Sequence, residues 1–239
     1  MGFVDLHSHV LPALDDGVKS VAEAVEVLSM LGQLGFETVC CTPHQKVGSW
    51  VPSADSISKA RADVAGALKA GSIDVELRLG AENFWDELFV QRCVDGAIPS
   101  YTGERAFLVE VSPVNIPVKL EEQLFRLRLR GPLPVLAHPE RYHELCRRPE
   151  RVAAVGRTAA LLVDVGALAG AHGPRAGEAA RWLVQDGLAH ACASDVHDAD
   201  DARAAAEGIA WLRKKLGDGG VRRLLDENPR RILQGELPD

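Results

Sequence analysis

Seven short apolar runs, each followed by a helical pattern, recur along the chain: Phe3–Leu6, Thr38–Thr42, Val75–Leu79, Ala106–Val111, Pro134–Ala137, Ala160–Val165 and Ala189–Ala193. Strands that are apolar on both faces and alternate with helices belong in a parallel sheet with its faces covered. No glycine-rich dinucleotide motif follows the first run, which disfavours a doubly wound nucleotide-binding sheet and favours a closed α/β barrel. At 239 residues the chain is long enough to bury the core of one large domain, and 1–239 is read as a single domain.

The helices between these runs carry their own punctuation. Ser20-Val-Ala-Glu23 is a capping box that opens a helix ending at Leu34, with Gly35 behind it. Residues 50–58 read as a loop, and further helices are expected over 60–70, 85–94, 119–130, from Pro149, and over 175–185, 201–215 and 221–233.

Six of the seven runs end in a histidine or a carboxylate. These are His7 and His9, His44, Glu82, Glu110, His138, and Asp195 with His197. In a barrel of this class functional groups collect at the C-terminal ends of the strands, so all of them are expected on one rim. His7 and His9 are two apart on an extended segment and point the same way. Asp5 shares that face, placed to accept the second ring N–H of a ligating imidazole. Asp15-Asp16-Gly17 has the composition of a turn.

Imidazoles and carboxylates with no cysteine among them suit Mn2+, Fe2+ or Zn2+ rather than a thiolate site. Their number suits two or three ions sharing carboxylates, an arrangement that stabilises both the attacking and the leaving oxygen in displacement at phosphorus. Ions of that kind also make a shared water nucleophilic, so no side-chain nucleophile is required. Arg141, three residues after His138, offers a guanidinium fork for phosphoryl oxygens; the alternative is a surface ion pair with Glu140 or Glu144. No cysteine is followed six residues later by arginine, so the phosphate loop of cysteine phosphatases is absent. Trp50 and Tyr101 are candidates for a substrate mouth, with ordinary packing as the alternative.

The net charge of −7 and the lack of a long basic block exclude nucleic acid as an expected partner. Arg126, Arg128 and Arg130 are read as a solvated helix face. The apolar runs are far shorter than the roughly 18 residues of a membrane span, and the N-terminus shows no basic leader, so the chain reads as cytoplasmic. The five cysteines form no CxxC pair, and Cys40-Cys41 is expected to pack as small hydrophobes in a strand.

Asp5-Leu-His-Ser-His9, Leu11-Pro12, Asp15-Asp16-Gly17, Thr42-Pro-His44, Gly80-Ala-Glu82, His138-Pro-Glu-Arg141 and Ser194-Asp-Val-His197 together resemble the polymerase-and-histidinol-phosphatase (PHP) superfamily. Within it they are most similar to the manganese-dependent bacterial protein-tyrosine phosphatases of capsule and exopolysaccharide clusters. The likeness runs from Asp5 to Asn228-Pro-Arg230. It implies a distorted seven-stranded, TIM-like (β/α)7 barrel holding three metals, with Mn2+ as the expected ion. By the resemblance His7, His9, Glu82 and Asp195 hold one ion, Glu82 bridges to a second held by Glu110 and His138, and Asp16, His44 and His197 hold the third. It further implies hydrolysis of phosphotyrosine on the tail of a bacterial tyrosine autokinase, with Arg141 at the phosphate. The family's second arginine, usually in a Gly-Arg-Pro setting, falls near Arg203, where glycine and proline are both missing. The basic cluster that commonly follows His44 is reduced to Gln45-Lys46.

Two other readings compete. A small-molecule phosphomonoesterase such as a histidinol phosphatase is disfavoured by the extended Leu-Pro-x-Leu-Asp-Asp-Gly stretch. A polymerase-associated nuclease or non-catalytic PHP module is disfavoured by the acidic balance and the intact ligand set.

Overall fold

The computed structural model describes residues 2–239. Its strands are all parallel and fall into two sheets. The first is ordered β1–β2–β4, from Phe3–Ser8 (β1), Phe36–Cys41 (β2) and Glu76–Leu79 (β4). The second is ordered β3–β5–β6–β7–β8–β9, from His44–Gln45 (β3), Glu82–Phe84 (β5), Ala106–Glu110 (β6), Leu133–Ala137 (β7), Ala160–Asp164 (β8) and Ala191–Ala193 (β9). All seven expected runs are strands. Two short strands, β3 and β5, lie where the sequence suggested only strand-ending loops. The chain leaves the first sheet at Pro43 after β2 and at Gly80 after β4, then re-forms a ladder in the second sheet, with His44 opposite Glu82. Beyond the other end of the second sheet, an isolated parallel bridge joins Ser8 to Val196. The His9 amide donates to Val196 O and the Asp195 amide to His7 O, each at 2.9 Å.

Strand alternation divides the core in two. Leu6, Leu108, Val135, Leu162 and Ala193 face an inner cluster closed by Ile232 and Leu233, whereas Val109, Leu136, Leu161, Val163 and Cys192 face the helices. Each such Leu or Val, fully buried, contributes roughly 1.5–3 kcal/mol relative to exposure. Alanine at 137, 160, 191 and 193 keeps the inner face small where the strands converge.

Helix α1 (Val21–Leu34) begins at Ser20, whose hydroxyl accepts the Glu23 amide, and stops at Gly35 with φ of 104°. Helix α2 (Ala54–Ala70) starts within the stretch read as a loop, because Ser53 caps it by accepting the Ser56 amide. Then follow α3 (Glu87–Asp95), α4 (Leu120–Arg128), a single 3-10 turn at Pro139–Arg141, α5 (His143–Cys146), α6 (Pro149–Gly156), α7 (Val165–Ala169) and α8 (Pro174–Gln185). The last long element, α9 (Ala199–Arg222), is broken at Gly217, with φ of 67° and ψ of −179°. The helix expected over 221–233 is instead a wide turn, Arg223–Glu227, followed by α10 (Asn228–Leu233). Among the described residues no helix is long and apolar enough to cross a membrane.

Candidate metal centre

The strand ends bring nine expected side chains together. His7 and His9 leave β1 with their Nε2 atoms 3.1 Å apart, as the two-residue period requires. Asp195 Oδ1 lies 3.2 Å from His7 Nε2 and 3.5 Å from that of His9. Glu82 is central. Its Oε1 is 3.0 Å from His138 Nε2 and 3.4 Å from His7 Nε2, and its Oε2 is 2.7 Å from His44 Nδ1 and 3.5 Å from His9 Nε2. Glu110 Oε1 is 3.9 Å from His138 Nε2. At the open side Asp16 Oδ1 lies 3.3 Å from His44 Nε2 and 3.7 Å from His197 Nε2. Four overlapping groups have ligand atoms close enough for one ion: His7-His9-Asp195, His7-Glu82-His138, His44-Glu82-Glu110, and His9-Asp16-His44-His197.

Three buried atoms test whether this set suits cations. Glu82 Oε2, Glu110 Oε2 and His44 Nδ1 have no hydrogen-bond partner among the described residues. His44 Nδ1 and Glu82 Oε2 approach to 2.7 Å and face each other inside the cluster. Leaving such atoms unpaired costs about 1–3 kcal/mol each, more when charged, and a cation removes that cost. The donor set is oxygen and imidazole nitrogen throughout, as a borderline first-row dication prefers.

Electrostatics agree with crowding. Burial opposes charge on Glu82 and Asp195, yet the surrounding imidazoles, with Arg141 beside Asp195, hold both carboxyls well below the usual range. Burial, reinforced by Glu82, pushes Glu110 up to about 8. Burial and the nearby Arg141 lower His138, favouring the neutral imidazole. Two residues of the set are also strained: His138 has φ of 32° and Asp195 of 49°, left-handed backbone that non-glycine residues adopt at a cost.

The supporting residues differ in part from expectation. Asp5 holds no imidazole: its carboxylate accepts the Ser194 hydroxyl and the backbone amides of Ser194 and His7, because strand pairing turns it toward β9. Asp15 takes the supporting role, its Oδ2 accepting from His9 Nδ1 at 2.8 Å and from the His44 amide at 3.1 Å. Burial opposes charge on Asp15, but His9 and the Gly17 and His44 amides hold its carboxyl at about 2. The turn needs Gly17, since a Cβ there would lie 2.1 Å from His9 O and 2.6 Å from His9 Cβ. His197 Nδ1 is likewise held by Asp195 O at 2.8 Å.

Arg141 is not in a surface pair with Glu140 or Glu144. Glu140 is fully buried and accepts the Asp164 amide, while Arg141 Nη2 donates to Asp195 Oδ2 at 2.6 Å and to Asp164 Oδ2 at 2.9 Å. His172 Nε2 stands 2.7 Å from the same Asp164 oxygen. Neither Asp164 nor His172 was anticipated. The available signal was a lone acid closing an apolar run, the signal that identified Glu110.

Asp16, His44, Lys46, Trp50, Glu82, Glu110, His138, Arg141, Asp195 and His197 line one cavity of about 290 Å³. Tyr101 is absent from it: the ring is fully buried and its hydroxyl donates to Leu6 O at 2.8 Å. Arg203 is also outside, exposed on α9 and paired with Asp200 one turn away.

These features define a parallel α/β protein with a clustered imidazole–carboxylate centre of the metallohydrolase kind. The chain belongs to the CpsB/CapC family of capsular polysaccharide synthesis, whose model matches residues 3–234. It is 26% identical over 235 residues to the tyrosine-protein phosphatase YwqE of Bacillus subtilis, covering 98% of this chain and 92% of that one. It is 25% identical over 248 residues to the tyrosine-protein phosphatase CpsB of Streptococcus pneumoniae, covering 98% and 99%. Among solved structures it superposes with a TM-score of 0.87 and 27% identity, over 98% of this chain and 95% of the other, on one of the crystal structures of those two proteins, described as unique metal-dependent tyrosine phosphatases. A phosphotriesterase homology protein from Escherichia coli shares the fold at a TM-score of 0.61 and 12% identity, over 98% and 99%.

Proposed function

We propose that this chain is a metal-dependent protein-tyrosine phosphatase, a phosphoric monoester hydrolase whose centre is the cluster above. The observation that carries the reading is convergence: nine ligand-type side chains form one contiguous cluster, seven of them lining a single cavity beside Arg141, in a chain whose family relatives are tyrosine phosphatases. We read residues 1–239 as one domain and the two sheets as one distorted (β/α)7 barrel, a reading supported by the Ser8–Val196 bridge between their outer edges.

His7, His9 and Asp195 would hold one ion, His138 and Glu110 a second, and Asp16, His44 and His197 a third, with Glu82 between the first two. Glu82 also approaches His44, and His9 also approaches the third group. Mn2+ is the ion proposed; bound there it would supply Lewis acidity toward phosphoryl oxygens and activation of water. Arg141 binds the phosphoryl group through its guanidinium edge, with Asp164 and Asp195 fixing the plane of the fork. Lys46 adds positive charge at the rim. None of the five cysteines lines the cavity, in keeping with direct hydrolysis without a covalent phosphoenzyme. The proposed substrate is a phosphotyrosine protein, the tail of a bacterial tyrosine autokinase controlling capsular or exopolysaccharide synthesis, and the proposed compartment is the cytoplasm.

The test is hydrolysis by metal-stripped protein with Mn2+ restored, on a phosphotyrosine peptide, histidinol phosphate and a single-stranded oligonucleotide, beside His138→Ala and Arg141→Ala. Mn2+-dependent peptide turnover lost in both variants supports the proposal. Turnover of either other substrate in preference to the peptide replaces it.

A further inference from the structure

One aromatic residue at the cavity has no part in holding metal or phosphate. The Trp50 ring stacks on His44, with centroids 5.3 Å apart and planes at 20°, and it lines the cavity on the side of Asp16 and His44. Its backbone is fixed. The Lys46 amide donates to Trp50 O at 2.6 Å, the Trp50 amide returns a bond to Lys46 O at 3.0 Å, and the Val47 amide is anchored on Asp86 Oδ2 at 2.9 Å. Lys46 and Trp50 are therefore cross-strand partners, whose side chains emerge on the same face and both border the cavity. The Lys46 ammonium sits 4.2 Å from the centroid of the Phe84 ring, so Lys46 and Trp50 give the cavity that Arg141 also lines an aromatic and cationic wall built on a short pinned loop.

From this geometry we infer that Trp50 is the ring platform of the site. When the phosphoryl group is at the cluster and Arg141, the aryl ring of a phosphotyrosine packs on the indole, so that Trp50 selects aryl over alkyl phosphomonoesters. The inference rests on the phosphatase reading and names the substrate chemistry that reading requires. Aromatic pairs at 4.5–7 Å add stability beyond the area they bury, and an indole already held against His44 loses little freedom on binding. An alkyl phosphate has no π-face to place there. The competing role for Trp50 is to brace His44 alone, which would act on every substrate alike.

The experiment compares wild type, Trp50→Ala and Trp50→Phe in two ways. The first is kcat/KM for phenyl phosphate and a phosphotyrosine peptide against β-glycerol phosphate with Mn2+ present. The second is calorimetric affinity for phenylphosphonate against methylphosphonate, which needs no turnover. Trp50→Ala is expected to lower the aryl values about tenfold, mainly through KM, with the alkyl values within about twofold and Trp50→Phe near wild type. The phenyl-over-methyl phosphonate preference should fall by the same factor. Equal losses for aryl and alkyl compounds, or no loss, would overturn the inference. A wild type that hydrolyses none of the phosphate esters would count against the phosphatase reading instead, and the phosphonate ratio would still decide the platform.

Discussion

Asp15 Oδ2 lies 2.8 Å from Nδ1 of His9, on the far side of the ring from the Nε2 that meets His7. This contact fixes the imidazole tautomer and orientation, and the same oxygen takes the His44 amide, so one carboxylate aligns two proposed ligands. Asp15→Ala should weaken Mn2+ binding by roughly 10- to 100-fold, whereas Asp15→Asn, which keeps an acceptor, should lose less. Titration calorimetry on metal-stripped protein measures both. Unchanged affinity in the alanine variant would remove Asp15 from the centre.

Arg141 depends on Asp164 in the same way. Asp164 Oδ2 holds the guanidinium, while Oδ1 accepts the Gly166 amide at the start of α7. Asp164→Asn keeps the cap and removes the charge, so kcat/KM should fall at least about tenfold with little change in melting temperature. Asp164→Ala loses both functions. Taking one of its two carboxylate partners from half-buried Arg141 and uncapping the helix should cost roughly 2 kcal/mol, or about 4–8 °C in a chain of this size. Equal melting points for the two variants would contradict this division of labour.

His7 and His9 could be placed from sequence because a strand of period two fixes direction, and His44, Glu82 and His138 because each stands where an apolar run stops. Asp164 carries the same signal as Glu110, a lone acid one residue before its apolar run ends, but its partners Arg141 and His172 come from other elements and meet it only on folding. Asp15 and Asp16 are adjacent in a turn. Which one faces the imidazole depends on the close approach of Gly17 to the His9 carbonyl, a contact made only on folding. Strands β3 and β5 are two and three residues long, too short to carry a period, and the division into two sheets follows from breaks at Pro43 and Gly80. Arg203 was placed by likeness alone, and on α9 its own neighbour Asp200 captures it.

Gly208 of α9 meets Val165 of α7 backbone to backbone: an added Cβ would lie 1.8 Å from Val165 O. Gly208→Ala must therefore push α7 away, at a cost of roughly 1–3 kcal/mol. Because α7 begins directly after Asp164, the shift should also reduce phosphatase activity. Urea unfolding should show a lower midpoint at unchanged slope, and a midpoint equal to wild type would mean that the helices separate freely.

His190 makes stability depend on pH. Its Nδ1 accepts the Leu161 amide at 3.0 Å, and burial, aided by Arg128, brings its pKa down to about 4. The unfolded chain, with an ordinary value near 6.5, then binds more protons than the folded one wherever the pH is below that value. Stability from this residue is intact above about pH 6.5 and declines as the pH falls toward 4. Between pH 7 and 5 the loss should be roughly 1–2 kcal/mol, allowing for partial exposure. His190→Asn keeps an acceptor for the Leu161 amide and cannot titrate, so its unfolding free energy should fall less over that interval by the same amount. Carboxylates elsewhere titrate alike in both proteins and cancel in the difference. Parallel pH profiles for wild type and His190→Asn would show that His190 is protonated in the folded chain and that the Leu161 contact is broken in acid.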